Sequence, residues 1–361
     1  MFSIILETIL RKDNMNKSRA LLIKNVKELA FDEVQLPELG EYDVLFHTKA
    51  VSLCTVDRRT FSGTRNYKLP FLGGHECSGV IEKVGKNVVG VKEGDHAIFT
   101  SAYCMQCEMD RTGRQTQCTN KQKEPQRIIL PDGFVQGGGL SEYLVIPCWQ
   151  IIPVSKNVPF QYSCLTEPLA CCVHSIRKAR IQIGETVVII GMGIMGYFQL
   201  QLAKMQGARV IVSEMDKTRR DFALKHGAWK VIDPSNESLQ ELIKSMTDGA
   251  GADVVINTIP FANAWKEAIE ILAPYGRLVA YSSQDKKDPI GVNFGEIHSR
   301  EIEIIGTLNP TLHDNDTAVK LITYGLIDME PVISGIYPFE KGIEAFHDAL
   351  KPGMYRVIIS Y

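Results

Sequence analysis

The sequence lacks a surplus of charge of either sign. Its 40 Lys and Arg residues are balanced by 42 Asp and Glu residues, which leaves a formal net charge of -2. Proteins that bind nucleic acid or an anionic membrane through their overall electrostatic field carry a basic excess. The balance therefore argues against both kinds of partner and leaves small-molecule functions open.

Uninterrupted apolar segments of membrane-spanning length are also lacking. The longest uncharged run, residues 186–203, is broken by Gly191, Gly193 and Gly196, so a strand, a glycine turn and a helix describe it better than a membrane span. At the N-terminus, the apolar segment MFSIILETIL precedes its positive charges instead of following them, and no clear cleavage site comes after it. We therefore expect a cytoplasmic protein.

The nine cysteines do not suggest a disulfide framework. Their number is odd and the chain of 361 residues is long enough to build a large core without disulfides. Several of them are closely spaced between residues 104 and 118. In a reducing compartment, such spacing points to metal binding.

Two kinds of pattern divide the chain. Residues 20–160 contain short strand-like runs cut by Gly, Pro and Asp, which predicts an irregular all-β or barrel-like domain. From about residue 168, strand-like and helix-like segments alternate, as in TVVIIG, RVIVSE, ADVVINTI and RLVAYSS with helices between them. This alternation predicts a parallel sheet covered by helices on both faces, with WKEAIEILAPYG as one of the helices.

The first of these alternating units carries a dinucleotide fingerprint. Gly191, Gly193 and Gly196 form a G-x-G-x-x-G motif that follows an apolar strand and opens a helix. The first glycine permits a tight turn, the second lets the backbone approach a pyrophosphate, and the third allows close packing of helix on strand. The motif predicts a Rossmann domain that binds a dinucleotide.

An acidic residue follows at the distance that the fingerprint requires. Glu214 ends the next strand, where a carboxylate would hold the adenosine ribose hydroxyls and repel a 2′-phosphate. NAD is therefore favoured over NADP. Arg219 and Arg220 lie close enough in sequence to weaken that preference.

A second set of motifs is more specific. The segment Gly74–Val80 (GHECSGV) runs into a strand that ends in Val84-Gly85, with Cys54-Thr55-Val56-Asp57 upstream and Thr166-Glu167-Pro168 downstream. From about residue 18 onward, the chain resembles the zinc-dependent medium-chain alcohol dehydrogenases, and it is closer to the polyol (sorbitol) and threonine dehydrogenase branch than to the liver-type enzymes.

The resemblance implies a fold and a domain order. It predicts an α/β plus β protein, with a GroES-like irregular β-barrel catalytic domain at 15–166 and an NAD-binding Rossmann domain with a doubly wound parallel sheet at 167–305. Residues 306–361 would return to the catalytic domain. A homo-oligomer, dimer or tetramer, is also expected by resemblance.

The same resemblance implies a catalytic zinc site. Cys54 and His75 match a thiolate and an imidazole ligand, and Glu76 and Glu167 match two carboxylates that share or exchange the remaining protein position. A fourth position stays open for substrate, as a catalytic zinc requires. Asp57 matches a carboxylate that orients the liganding histidine.

A second zinc site is altered. Family members often hold a structural zinc on four cysteines spaced C-x2-C-x2-C-x7-C, and here these positions are Cys104, Cys107, Asp110 and Cys118. A carboxylate oxygen is also a zinc ligand. The sequence is therefore compatible with either a Cys3Asp structural zinc or a site that has lost its metal.

The chain departs from the family at the reaction centre. Two residues after Cys54, the family usually has Ser or Thr, whose hydroxyl contacts the substrate oxygen and begins the proton's route to solvent, whereas this chain has Val56. Proton removal would then fall to water on the metal, to Glu76 or Glu167, or to a group that the sequence does not identify. After Gly306, the arginine of typical polyol dehydrogenases is also missing.

These features predict an enzyme with a small-molecule substrate. We expect zinc- and NAD-dependent, reversible hydride transfer between NAD and a secondary alcohol, polyol or amino alcohol. One alternative is a zinc-free quinone or enone reductase on the same fold, which normally lacks the equivalents of Cys54 and His75. The other is a non-catalytic NAD-binding or metal-sensing protein that has lost turnover together with the missing hydroxyl.

Overall fold

The computed structural model describes residues 17–100, 103–120, 128–129, 135–136, 138–283 and 288–361. The chain forms two compact units, of which the first comprises Met1–Glu167 and Thr311–Tyr361 and the second Pro168–Pro310. The sequence predicts domain ends at residues 166 and 305, and the observed boundaries follow Glu167 and Pro310. Residue 15, the predicted start of the first domain, lies outside the described residues.

The first unit consists mainly of short strands. Its strands, numbered in chain order, are β1 (Lys17–Asn25), β2 (Glu28–Gln35), β3 (Asp43–Ser52), β4 (Glu76–Val84), β5 (His96–Phe99), β6 (Ile128–Ile129), β7 (Val135–Gln136), β8 (Tyr143–Pro147), β9 (Ile151–Val154), β16 (Ile333–Pro338) and β17 (Arg356–Ser360). A seven-stranded sheet has the order β16-β17-β3-β4-β5-β9, with β8 also paired to β3, and a four-stranded sheet has the order β1-β2-β6-β7. Its helices are α1 (Thr55–Phe61), α2 (Glu108–Arg111), α3 (Phe160–Ser163), α10 (Leu312–Thr323) and α11 (Gly342–Ala349).

Both stretches of the first unit contribute to one apolar core. Leu21, Phe46 and Leu144 pack there together with Phe346 and Ile359 from the end of the chain. Burial of such side chains contributes about 1.5–3 kcal/mol each, which explains why the last stretch folds with the first unit.

The order of β17, β3 and β4 positions the site described below. Strand β17 pairs antiparallel with β3, where Ile358 lies opposite Ser52. Strand β3 in turn pairs antiparallel with β4, where Ser52 lies opposite Glu76. The last strand of the chain therefore lies close to the start of β4.

The second unit contains a parallel sheet of six strands with the order β12-β11-β10-β13-β14-β15. The strands are β10 (Thr186–Ile190), β11 (Arg209–Ser213), β12 (Lys230–Ile232), β13 (Ala252–Asn257), β14 (Leu272–Ala280) and β15 (Glu303–Gly306). The helices are α4 (Thr166–Ala179), whose first two residues belong to the first unit, α5 (Ile194–Met205), α6 (Lys217–Lys225), α7 (Leu239–Met246), α8 (Ala262–Glu270) and α9 (Phe294–Ser299). Strand β10 is buried along its whole length, as expected when both faces of a parallel sheet are covered.

The strand order changes direction at β10 and β13. From β10 the chain proceeds outward to β12 on one side, and from β13 it proceeds to β15 on the other. In doubly wound sheets, ligands bind beyond the carboxyl ends of the strands at such a point. The glycine turn after β10 lies there.

One predicted helix is shorter than expected. The sequence predicts a helix through residue 276, but α8 ends at Glu270 and β14 begins at Leu272. Pro274 has no N–H to donate to a continuing helix, and Tyr275 has a positive φ of 61°. Separately, no helix among the described residues is long and apolar enough to cross a membrane.

Candidate active site and metal centres

The first candidate site begins where β3 leads into α1. Cys54 is the N-cap residue of this helix, and its backbone N–H donates to Asp57 Oδ2 at 2.9 Å. The other oxygen of the same carboxylate accepts the N–H of Gly74 at 3.2 Å. Asp57 is fully buried. It therefore fixes the two segments that carry Cys54 and His75 relative to each other.

The segment before His75 requires glycine at both positions. Gly74 has a φ of +91°, and a Cβ there would lie 2.5 Å from the backbone nitrogen of Leu140. A Cβ on Gly73 would lie 2.0 Å from Asp57 Oδ1. Larger residues at either position would displace the histidine from its place.

Cys54, His75 and Glu76 form a compact group of metal-ligating side chains. Their ligand atoms all lie within 4.8 Å of one another. Burial raises the pKa of the Cys54 thiol, and the Glu76 carboxylate adds to this effect. Burial alone would lower the pKa of His75, but Cys54 and Glu167 outweigh it and the pKa is raised. A thiolate, an imidazole and a carboxylate form a donor set that suits zinc.

Arg356 is a part of this site that sequence reasoning missed. Its Nε donates to Glu76 Oε2 at 2.9 Å and its Nη2 to Oε1 at 2.7 Å. Ser52 Oγ donates to Oε2 at 2.6 Å. Arg356 and Glu76 are both buried. Burial raises the pKa of Glu76, but Arg356 and His75 outweigh that effect and keep the carboxylate charged.

Glu167 lies in the first turn of α4 and outside the compact group. Its charge is nevertheless close enough to raise the pKa of His75. The structure therefore brings Cys54, His75 and Glu76 together, with Glu167 as a nearby carboxylate.

The hydroxyl next to Cys54 is engaged elsewhere. Thr55 Oγ1 accepts a hydrogen bond from Arg58 Nη2 at 3.1 Å, and Thr55 is exposed. Val56, at the position where the family resemblance predicts a hydroxyl, has none. The Thr55 hydroxyl is therefore held towards Arg58, and position 56 itself offers no hydroxyl.

The second group consists of Cys104, Cys107, Asp110 and Cys118, whose ligand atoms also lie within 4.8 Å of one another. Backbone N–H groups point at the sulfur atoms: Cys107 N donates to Cys104 Sγ at 3.3 Å, and Asp110 N donates to Cys107 Sγ at 3.4 Å. Such bonds to sulfur stabilise thiolates and orient them towards a metal.

Asp110 takes part in this group with one oxygen. Its Oδ2 accepts the N–H of Met105 at 2.8 Å, whereas Oδ1 is buried and accepts no hydrogen bond from the described residues. A buried carboxylate oxygen without a partner carries a large desolvation cost. A metal ion bound by the three neighbouring cysteines would satisfy it, so these residues fit zinc.

The glycine turn of the second unit has the geometry that a dinucleotide requires. Gly191 has a φ of +94°, and a Cβ on Gly196 would lie 2.1 Å from the carbonyl oxygen of Gly191. By contrast, a Cβ on Gly193 would meet nothing within 4 Å. The turn is closed on the side of the helix and open at Gly193, where a pyrophosphate would approach.

Glu214 lies beside this turn. Its Oε2 accepts the N–H of Met192 at 2.7 Å and its Oε1 that of Asp216 at 3.0 Å. A cavity of about 870 Å³ is bordered by Gly191, Glu214 and Arg219, among others. Arg220 is occupied by an ion pair with Asp233 at 3.0 Å.

Comparisons with known proteins place these sites in context. Residues 40–156 match the alcohol dehydrogenase GroES-like domain, and residues 185–323 match the zinc-binding dehydrogenase domain. The L-threonine 3-dehydrogenase of Caldanaerobacter subterraneus subsp. tengcongensis is 32% identical over 321 residues, which cover 86% of this chain and 90% of that protein. The D-arabitol-phosphate dehydrogenase of Enterococcus avium is 28% identical over 338 residues, covering 92% and 94%.

A solved structure agrees with these relatives. A structure described as a zinc-binding dehydrogenase of Sinorhizobium meliloti 1021, bound to NADP, has a TM-score of 0.85 and 25% identity, and the match covers 96% of this chain and 99% of that one. The fold predicted from the sequence, a GroES-like domain with a Rossmann domain, is confirmed. The chain belongs to the zinc-binding alcohol dehydrogenase family and is an oxidoreductase of that family.

Proposed function

We propose that the protein catalyses the reversible, NAD-dependent oxidation of a secondary hydroxyl group in a polyol or amino alcohol. In this reaction, the secondary alcohol and NAD+ give the corresponding ketone, NADH and a proton. The observation that carries the proposal is the compact group of Cys54, His75 and Glu76 in a chain whose relatives are named dehydrogenases.

Cys54, His75 and Glu76 would hold the catalytic zinc. A bound zinc ion would act as a Lewis acid that makes the substrate hydroxyl more acidic. Glu76 Oε1 accepts one hydrogen bond, from Arg356, so a lone pair remains for a metal. Glu167 lies outside the compact group. Its carboxylate would accept a proton or exchange with Glu76 as a zinc ligand.

The residues around these ligands hold them in place. Arg356 and Ser52 orient the Glu76 carboxylate, and Asp57 ties Cys54 to the segment before His75. Because Val56 has no hydroxyl, the substrate proton would leave through Glu76, Glu167 or water.

The second unit would bind NAD through Gly191, Gly193, Gly196 and Glu214. Glu214 presents a negative charge at the cavity wall, where a 2′-phosphate would be repelled. Arg220 is held by Asp233 and by the carbonyl oxygen of Glu214. Arg219 borders the same cavity and is the cation that would weaken the preference for NAD.

We also propose that Cys104, Cys107, Asp110 and Cys118 bind a structural zinc ion. The buried Oδ1 of Asp110, which accepts no hydrogen bond from the described residues, supports this proposal over a site that has lost its metal. Zinc would then cross-link the segment between Cys104 and Cys118 and stabilise its folded form, as a disulfide does in other proteins.

We also propose that the protein is a cytoplasmic homo-oligomer. None of the nine cysteines, all of which lie in the described residues, forms a disulfide bond, which suits the reducing cytoplasm. Strand β15 is an edge strand of the parallel sheet and exposes Ile304 at 47%, so a dimer or tetramer would cover it. Light scattering coupled to gel filtration tests the assembly.

The test of the function is formation of NADH from polyols and amino alcohols by zinc-loaded protein, with the Cys54→Ser variant as the inactive control. A zinc-free reductase would instead reduce enones with NADPH after chelation. A non-catalytic protein would bind NADH without turnover of any alcohol or ketone.

A further inference from the structure

A basic segment follows Cys54 directly. Residues 58–68, RRTFSGTRNYK, contain Arg58, Arg59, Arg65 and Lys68 and no acidic residue, in a chain whose net charge is -2. Among the described residues, Arg58, Arg59 and Arg65 take part in no ion pair. Arg59 and Arg65 are exposed, so their guanidinium groups are accessible to an anion.

Arg58 places a fixed positive charge near the candidate zinc site. Its backbone N–H donates to the carbonyl of Cys54 at 3.1 Å, so it lies one helical turn after that ligand. Its side chain donates to Ala349 O at 2.9 Å and to Thr55 Oγ1 at 3.1 Å. Burial lowers the pKa of Arg58, and the positive charge of Arg356 lowers it further, whereas the carboxylates of Glu76 and Asp57 raise it. Arg58 therefore lies close enough to the candidate zinc site to interact with its charged groups.

Arg59 and Arg65 lie close together at the end of the same helix. The carbonyl oxygen of Arg59 accepts the N–H groups of Thr64 at 2.9 Å and Arg65 at 3.1 Å. The chain therefore folds back and brings Arg65 beside Arg59, and both are exposed. Along the helix axis, the rise between the Cα atoms of Cys54 and Arg59 is about 7.5 Å, so Arg59 lies on the helix that begins at a candidate zinc ligand.

The aromatic residues after Arg65 order its side chain. The guanidinium of Arg65 lies over the ring of Tyr67, 4.9 Å from its centroid. Tyr67 stacks on Phe71 with a centroid distance of 5.0 Å. Phe71 is fixed by two backbone hydrogen bonds to Ile23, of 2.9 and 3.0 Å. An arginine ordered in advance loses less entropy when it binds an anion.

We propose that Arg59 and Arg65 bind an oxyanion of the substrate, so that the substrate is a polyol bearing a phosphate or carboxylate group. This inference rests on the proposed function, because it requires the hydroxyl to be oxidised at the site of Cys54 and His75. Guanidinium groups bind both oxyanions through paired hydrogen bonds.

The test compares substrates that share one carbon chain. Initial rates of NADH formation are measured with D-arabitol, a D-arabitol phosphate and D-arabinonate. For the wild-type protein, we expect kcat/KM to be about tenfold or more higher for an anionic member than for D-arabitol. The phosphate and the carboxylate arms identify which oxyanion is recognised.

Variants then assign the effect to these arginines. In Arg59→Gln/Arg65→Gln, we expect the KM of the anionic substrate to rise about tenfold with little change in kcat, and the D-arabitol kinetics to stay within about twofold. Lys92→Gln removes an exposed charge elsewhere in the first unit and should change neither. Added salt should raise the KM for the anion only.

The outcomes separate this inference from the proposed function. Equal kcat/KM for neutral and anionic polyols, or an unchanged ratio in the double variant, would overturn the inference and leave the dehydrogenase function standing. If zinc-loaded protein supplied with NAD+ oxidises none of the three, the proposed function fails for this class. Calorimetric binding of the D-arabitol phosphate then decides the inference, since binding that the double variant weakens supports it, and absent or unaffected binding overturns it.

Discussion

The guanidinium of Arg356 donates to both carboxylate oxygens of Glu76, a residue 280 positions earlier in the chain. Strand β3 lies between the strands that carry them, and both side chains are buried. The last strand of the chain therefore does more than complete a sheet, because it supplies the counter-charge for a carboxylate of the candidate zinc site.

Removal of that counter-charge should destabilise the protein strongly. Arg356→Met leaves the buried Glu76 carboxylate without its ion pair, and we expect the free energy of unfolding to fall by about 3 kcal/mol or more. Urea denaturation of the chelated, zinc-free proteins measures it. The double variant Arg356→Met/Glu76→Met should recover part of the lost stability. An Arg356→Met protein as stable as wild type would show that the ion pair does not contribute to the free energy of unfolding.

The two carboxylates should differ in their effect on zinc. Because Glu76 belongs to the compact group and Glu167 does not, we expect Glu76→Gln to lose the catalytic zinc on dialysis and Glu167→Gln to retain it. Elemental mass spectrometry on folded protein, verified by circular dichroism, gives the count. Retention in Glu76→Gln together with loss in Glu167→Gln would reverse the assignment of the third protein ligand.

Asp110 should be required for the second zinc ion. We expect Asp110→Ala to lose one zinc per chain and Asp110→Cys to keep it, because a thiolate restores the fourth donor. The Ala variant should also unfold at a lower temperature, since the metal stabilises only the folded segment. If the Ala variant and the wild type have equal zinc contents, Asp110 is not a ligand.

Glu214 should set the cofactor preference. In Glu214→Ser, the charge that would repel a 2′-phosphate is gone, and we expect the ratio of kcat/KM for NADP to that for NAD to rise about tenfold or more. Removal of Arg219 in the same background should reverse part of the gain. A ratio that does not change in Glu214→Ser would place the preference elsewhere.

Local motifs made much of this account predictable from sequence. The G-x-G-x-x-G turn and Glu214 lie within one strand–helix–strand unit, so their spacing alone predicts their proximity. The group of Cys104, Cys107, Asp110 and Cys118 is likewise local, and the structure brings its ligand atoms within 4.8 Å of one another. In both cases, the chain between the residues is too short to allow many other arrangements.

Arg356 could not be predicted in the same way. Its proximity to Glu76 depends on the pairing of Ser52 with both Ile358 and Glu76 across neighbouring strands, and nothing near Arg356 in the sequence specifies that register. The one available signal was a charged residue at the start of the apolar strand RVIIS. Helix α8 ends at Glu270, before Pro274, because proline cannot continue the hydrogen-bonding pattern of a helix.

If Cys54 and His75 hold the catalytic zinc, alcohol oxidation depends on that ion. The most direct measurement is the zinc content per chain of extensively dialysed protein, followed by NADH formation from a polyol substrate before and after chelation. We predict two zinc ions per chain, loss of activity when the catalytic ion is removed, and recovery when zinc is restored. A protein that retains no zinc, yet reduces or oxidises its substrate at an unchanged rate, would contradict the account.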